Sequence, residues 1–543
     1  MPNQEDVEFL FTGPSAHPPS VLSPPRFPGI TADSAKALID CLKDNYKRWH
    51  IFFNYTRFHN HSMHHTCCIY ALGVHGDVIR DAYEVYTRQL RPAFESPEPI
   101  TDENFEKHLG DENFYDSYVN YFTDYAREHG VHNTLEKFVF SREYNTPGRA
   151  MLSRFVSGGM HPMIHIGYWA ELGLPILVVE GLALGAVHDK DISKLFPEVF
   201  FNSIWAVPDP AVPKAPSYMS SVTGTFKNAA SYIVPGLGSP AKPNEEVHAL
   251  TILARVLADD SLTLPQDLDE LNLVKNTVAE HHDKILDLAL AWTIDPSRPG
   301  ELDRKVEEIG WFAMVGYGVA GWTWCNKTRP NEGRPFNADF FMVHLATSVI
   351  FIPSILAKLE SLHCKIAFLR SYLAALIAQF VSRGRPKLDV AGFYKSPMSE
   401  PYPMPYNELP TPSKDVLLGP DAIPARNPDP WLPLLQTTMV HPDTHLPKCI
   451  RSLAWLAARL GTTPAGYFGS PDVCPEGAVK TELPGAEYLD GSLFLRVAGM
   501  TCARMGRVGQ GEDGKLHWDR DGFYEDPKVA AEAWKKMSPI PVD

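Results

Sequence analysis

The chain has 543 residues, with 50 Lys and Arg against 65 Asp and Glu and a formal net charge of −15. That length can bury a deep pocket within one large domain or two fused ones, and the acidic balance lacks the basic stripe that nucleic acid binding requires. The eight cysteines, from Cys41 to Cys502, include no C-x-x-C pair, so neither a zinc hook nor a disulfide framework is expected and most read as reduced core residues.

The first residues, "MPNQEDVEFLF", are acidic where a secretory signal is basic and lack its apolar run, so the chain is expected to stay in the cytoplasm. A Pro-rich lead-in occupies residues 1–30. Apolar residues at helical spacing then begin at "ITADSAKALIDCLKDNYKRWHIFF", with Leu38, Cys41, Leu42 and Tyr46 on one face and Thr31 or Asp33 as the cap. The same period predicts helices over 60–72, 76–93, 112–129, 175–205, 245–258, 268–294, 301–326, 338–360 and 361–383. Few alternating strand runs lie between them, so the fold is expected to be mainly α. The most apolar stretch, "VHLATSVIFIPSILAKL", carries His344 and Pro353 and falls short of the roughly 20 apolar residues of a membrane span, so none is predicted.

A helical catalytic domain over 31–395 is therefore predicted, interrupted at 206–243 by a Pro-, Ser- and Gly-rich insertion that reads as a lid or a disordered segment. A Pro-rich connector over 396–433 leads to a C-terminal subdomain, 434–543, packed on the helical body. Its segment "GSLFLRVAGMTCARMGRVGQGEDGKLHWD" reads as a hairpin. No internal repeat suggests a solenoid or propeller.

The chemistry-bearing residues are histidines. "RFHNHSMHHTCC" holds His59, His61, His64 and His65; on a helix His61 and His65 share one face, where two imidazoles can hold one ion. Alone, such a pair reads equally as a hydrogen-bonded helix start. A second pair, His161 and His165, lies in the core-like stretch "SGGMHPMIHIGYWAELGLPILVVEGLALGAVHD", where buried histidines need partners. Pro162 fits the first helical position, and Gly158 and Gly159 allow close backbone approach. Glu171, Glu180 and His188 are secondary candidates to ligate or orient a ligand. His344, on an apolar segment, is either a satisfied core histidine or a fifth ligand. Lys365 would complete the set if a dry site strips its proton and carbon dioxide converts the amine to a carbamate, against the alternative of a packed stem with its head in water. His441 and His445 in "HPDTHLPK" have the same spacing but a proline-rich polar setting, which favours a turn and capping role.

Rival motifs have weaker contexts. "VGYGVAGW" matches G-x-G-x-x-G at Gly316, Gly318 and Gly321 but follows a helical rather than a strand pattern, and close helix packing explains the glycines better. Glu245 with His248 and Glu360 with His363, joined by Glu171 and Glu180, form a possible di-iron set that leaves both histidine pairs idle. "HWD" at His517–Asp519 has facial-triad spacing outside the β fold that builds such triads. Trp169, Trp311, Phe312, Trp322 and Trp324 either line an aromatic slot or belong to the core.

Taken together, "FHNHSMHHT" with "LGVHG", "SGGMHPMIHIGYWAELGLPILVVEGLALGAVH", "FFMVHLATS", "SRGRPKL", "HPDTHLPKCIRSLAWL" and "DGSLFLRVAGMT" resemble the questin oxidase-like family of fungal polyketide pathways over nearly the whole chain. The resemblance implies dioxygen-dependent opening of the central quinone ring of an anthraquinone to a benzophenone, a Baeyer-Villiger-like outcome, with NADPH as a reductant described for members. Because no flavin fold is evident, the residues favour a non-haem Fe(II) oxygenase whose ligands come from His61, His65, His161, His165, His344 and a modified Lys365. The alternatives are an NADPH- and flavin-dependent Baeyer-Villiger monooxygenase and a non-catalytic carrier of hydrophobic ligands. The need for a reductase partner and the oligomeric state are left open by the sequence.

Overall fold

A computed structural model describes residues 4–207, 246–265, 268–269, 272–396, 412–419, 421–520 and 522–524. The architecture is mainly α, as the apolar spacing predicts. Among the described residues the named strands are two dipeptides, Phe468–Gly469 and Val479–Lys480, paired in parallel with Phe468 opposite Val479. Most of the predicted insertion and much of the Pro-rich connector lie outside the described residues.

The centre of the molecule is the helix Ile176–Val187, every residue of which is buried. A helix that is apolar all round can be satisfied only by neighbours on every side. It packs against His161–Leu172 and Tyr115–His129. The helix His161–Leu172 is likewise buried throughout, with Pro162 in its first turn and a left-handed residue, Met160, before it. Ser62–Ala71 is a third fully buried helix. His445–Leu460 packs across Ser62–Ala71 and Val343–Val349 and thereby joins the C-terminal region to the body. Asp443 starts that helix by accepting hydrogen bonds from the backbone N–H groups of His445 and Leu446 at 2.8 and 2.9 Å.

Two buried ion pairs tie distant segments together. Arg451, on His445–Leu460, holds Glu171, on His161–Leu172, through both guanidinium nitrogens, one bond measuring 3.1 Å. Arg383 holds Asp339 at 2.6 Å, and Asp339 also accepts from the backbone of Phe341 and Met342 just before the His344 helix. Such planar, doubly bonded pairs fix orientation as well as distance.

Three expectations are corrected or resolved here. The segment read as a hairpin contains a helix, Leu493–Met505, because Leu493, Phe494, Val497, Ala498, Thr501, Cys502 and Met505 bury at helical spacing against its neighbours. Gly316, Gly318 and Gly321 lie in a continuous helical run after Glu301–Met314, where a Cβ on Gly318 would meet Val497 Cγ2 at 2.2 Å. They are packing glycines and form no phosphate-binding turn. The helix Leu362–Ser382 is long and apolar enough to cross a membrane, but most of it is buried against other helices of the chain.

Candidate metal centre and adjoining cavity

The ends of three helices meet at the centre. His61 immediately precedes Ser62–Ala71, His161 opens His161–Leu172 and His445 opens His445–Leu460; one ring nitrogen from each lies within 4.8 Å of the other two. The Nε2 atoms of His61 and His161 are 2.6 Å apart. His161 Nδ1–H donates to the Gly158 carbonyl at 2.5 Å, which fixes the tautomer and leaves Nε2 with its lone pair toward the cluster. His344 flanks the group, its ring centroid 5.0 Å from that of His161 and 5.3 Å from that of His445. Its Nδ1–H donates to the Phe340 carbonyl at 2.9 Å, and its buried Nε2 has no partner. The Nε2 of His445 is likewise buried and unpartnered.

Burial pushes His61, His161 and His445 well below the ordinary imidazole range, and neighbouring His and Lys448 charges push the same way. Burial, then Lys448, brings His344 to about 4. These are neutral imidazoles, the ligating form. Orphaned lone pairs converging in a dry core are costly unless something electrophilic accepts them, so the donor set fits a borderline transition metal.

The predicted i, i+4 pairing is only half realised. The first members, His61 and His161, meet, whereas His65 and His165 point elsewhere. His165 Nε2–H donates to Glu180 Oε2 at 3.2 Å, and its Nδ1 accepts from His64 Nε2 at 3.2 Å. That chain leaves His64 Nδ1 buried without a partner, beside the cluster at 5.9 Å between the His61 and His64 ring centroids. One turn further along the two helices it is His64, not His65, that meets His165. Lys365 is only half-buried and does not line the adjoining cavity.

The lysine in the dry site is Lys448. It is buried, its Nζ has no hydrogen-bond partner, and burial brings it down to about 8 against the opposing pull of Cys68 and Asp443. It sits one turn after His445, and its charge depresses His61, His64, His65, His161, His344 and His445. Sequence reading assigned the His441/His445 pair to a structural role. That holds for His441, whose Nε2 bonds the Met505 carbonyl at 3.1 Å, but not for His445. A signal was present: His445, Lys448, Cys449, Ser452 and Leu456 form one stripe at helical spacing, all buried.

A cavity of about 330 Å³ opens on the cluster, with His61, His161 and His344 in its wall. Phe58, Phe340, Phe341, Met160, Leu273 and Ala375 supply apolar surface, and His59, His188, Arg383 and Gln379 supply polar groups. That size and mixture suit a small, flat, largely apolar ligand. The tryptophans named from sequence do not line it: Trp311 packs on Phe468 and Phe494, Trp322 on Phe393 and Trp324 on Phe523, as core. The rival di-iron set is not assembled, since Glu171 pairs with Arg451, Glu180 with His165, and His363 bonds the Val207 carbonyl, while Glu245 lies outside the described residues. Asp519 of the H-W-D stretch is held by Arg504 and Arg334.

The chain is similar to several known proteins. The chain is 26% identical over 335 residues to the Baeyer-Villiger oxidase AgnL3 of Paecilomyces divaricatus, covering 60% of this chain and 63% of that protein. It is 29% identical over 349 residues to the Baeyer-Villiger monooxygenase dmxR6 of a Cryptosporiopsis species, covering 63% and 68%. A third relative, the Baeyer-Villiger oxidase GME11358 of Pestalotiopsis microspora, is 24% identical over 341 residues, covering 61% and 66%. The match thus spans slightly under two thirds of the AgnL3 and GME11358 proteins. The family model described as questin oxidase-like matches residues 58–453, a span that contains every histidine of the cluster and Lys448, and the chain belongs to the questin oxidase-like family.

Proposed function

We propose that the protein is an oxidoreductase that uses dioxygen to open the central ring of an anthraquinone-type polyketide, at non-haem iron held by His61, His161 and His445 with His344 and His64 as further donors. The observation that carries the reading is the convergence of buried imidazole nitrogens from His61, His161 and His445, with the unpartnered Nε2 atoms of His344 and His445 among them, beside a largely apolar cavity. Family membership and relatives named for Baeyer-Villiger chemistry support an oxygen insertion beside a carbonyl. Bound Fe(II) would supply the activation of dioxygen that no side chain provides.

The chain's own residues do the rest. Phe58, Phe340 and Phe341 offer aromatic faces to a planar ring system, and the apolar walls keep water from the reacting face. The carbonyls of Gly158 and Phe340 hold His161 and His344 with Nε2 inward. In this reading Lys448, rather than Lys365, becomes the carbamate: the fraction of its amine that is unprotonated adds carbon dioxide, forms an N–C bond and releases a proton. The resulting carboxylate would neutralise an otherwise all-imidazole site. NADPH, with or without a reductase partner, is the proposed source of reducing equivalents.

The test is elemental analysis of untagged protein together with dioxygen uptake on a hydroxyanthraquinone. About one iron per chain and uptake abolished by chelator support the reading. Activity in a metal-free protein that carries a flavin chromophore replaces it with flavin chemistry, and quinone binding without uptake replaces it with a carrier.

A further inference from the structure

Two histidines on the cavity wall, His59 and His188, have no part in the cluster, and the Nε2 of His59 is buried. His188 ends the helix Ile176–Val187 and is 9% exposed, at the cavity surface. Its Nδ1–H donates to the Asp189 carbonyl at 3.1 Å, so Nε2 carries the lone pair, and that atom takes no hydrogen bond within the protein. A Cβ on Gly158 would lie 2.1 Å from Nε2, so only a glycine, here left-handed at φ 56°, fits beside this nitrogen.

The ring is placed by stacking. His188 lies parallel to His59 at 5.3 Å and 1°, and His59 lies parallel to His161 at 3.9 Å and 9°. Three imidazoles therefore run in a ladder from the metal cluster along one wall. Around His188 stand Arg57, Asp189 and the half-buried Asp191. Arg57 is committed to the Gly110 and Val187 carbonyls and to Asp189, which leaves Asp191 as the anion beside the ring. Burial disfavours a proton on His188 and Asp191 opposes that effect; an imidazolium formed there would have a counter-charge.

We infer that His188 is the proton acceptor for a ring hydroxyl of the substrate, so that a hydroxyanthraquinone binds as its phenolate with the hydroxylated edge at His188 and the central ring toward His161 and His344. The inference rests on the anthraquinone reading above. In the step the phenolic O–H bond breaks, an N–H bond forms at His188 Nε2, the electron pair stays on the oxygen, and Asp191 balances the new cation; nothing is oxidised. An electron-rich phenolate is also the form of such a ring that an oxidant attacks most readily. The acceptor gives a role to a basic nitrogen that stands apart from the metal donors in a largely apolar cavity, and it assigns specificity to substrates bearing a hydroxyl.

The test is anaerobic titration of the protein with 1,8-dihydroxyanthraquinone and, separately, unsubstituted 9,10-anthraquinone, followed by visible absorption. The native protein should red-shift the hydroxylated probe as ionisation does, and the shift should persist after chelator treatment. His188→Gln should bind that probe about tenfold more weakly and without the shift, keep native iron content, and bind unsubstituted anthraquinone as the native protein does. Asp191→Asn, which leaves the imidazole in place, should weaken the shift. A shift that survives in His188→Gln, one that vanishes with chelator, or loss of iron in His188→Gln would each overturn the assignment and leave the proposed function standing. Failure of the native protein to bind either quinone would remove the proposed function itself.

Discussion

His61 Nε2 and His161 Nε2 lie 2.6 Å apart although 100 residues separate them in the chain. Neither atom has another partner in the protein, and both belong to residues at the N-terminal end of a buried helix. The contact puts the candidate metal centre where helix ends meet, with His61, His161 and His445 each at the start of a different helix.

The cluster predicts a sharp division among the histidines. His161→Ala and His445→Ala should each abolish stoichiometric iron in the purified protein. His165→Gln, which alters a residue that only orients His64, should retain iron with an affinity lowered by roughly 10- to 100-fold. Metal analysis across a chelator series separates the two classes; equal losses in all three variants would mean that His165 is a direct ligand.

Lys448 and Lys365 should behave oppositely. Lys448→Ala is expected to lose metal and activity, and Lys365→Ala to match the native protein in both. Protein equilibrated with ¹³C-labelled bicarbonate should give a carbamate carbon resonance that is absent from Lys448→Ala. A resonance lost only in Lys365→Ala would return the ligand to that position.

The Arg451–Glu171 pair clamps the His445 helix to the His161 helix. Glu171→Ala leaves a buried guanidinium uncompensated and should cost about 3–5 kcal/mol of stability. Urea unfolding would register this as a lowered midpoint. Because the clamp aligns the two helix ends that carry the proposed ligands His161 and His445, iron affinity should fall as well, and unchanged iron binding would show that the helices are aligned by packing alone.

Gly159 sits at φ 64°, and a Cβ there would lie 3.1 Å from His344 Cδ2. Gly159→Ala should lose roughly 1–2 kcal/mol to backbone strain and also displace the His344 ring. The expected signature is a modest fall in unfolding midpoint with a disproportionate fall in turnover; parallel falls would confine the effect to the backbone.

Much of the fold was legible because burial follows a period. The 3.6-residue spacing of apolar side chains marks helices such as Ala32–Arg48 and the run from Glu301 to Thr328 whatever their neighbours do, and the boundaries fall within a few residues of those predicted. The same logic misread Leu493–Met505, where polar and glycine-rich flanks suggested a hairpin and obscured the helical stripe.

The sequence by itself determined the mainly helical class, the placing of His161 and His344 in buried segments, and the exclusion of a dinucleotide-binding turn at Gly316–Gly321. Only the tertiary structure decided which histidines share a point in space. Spacing along one helix sets direction within that helix alone; the crossing of helix ends, set by packing of distant segments and by Arg451 on Glu171, brought His445 and Lys448 in and turned His65 and His165 away. Dryness was decided there too, since the proton on Lys448 is held more weakly not through its sequence neighbours but through the low-dielectric core that several helices build around it.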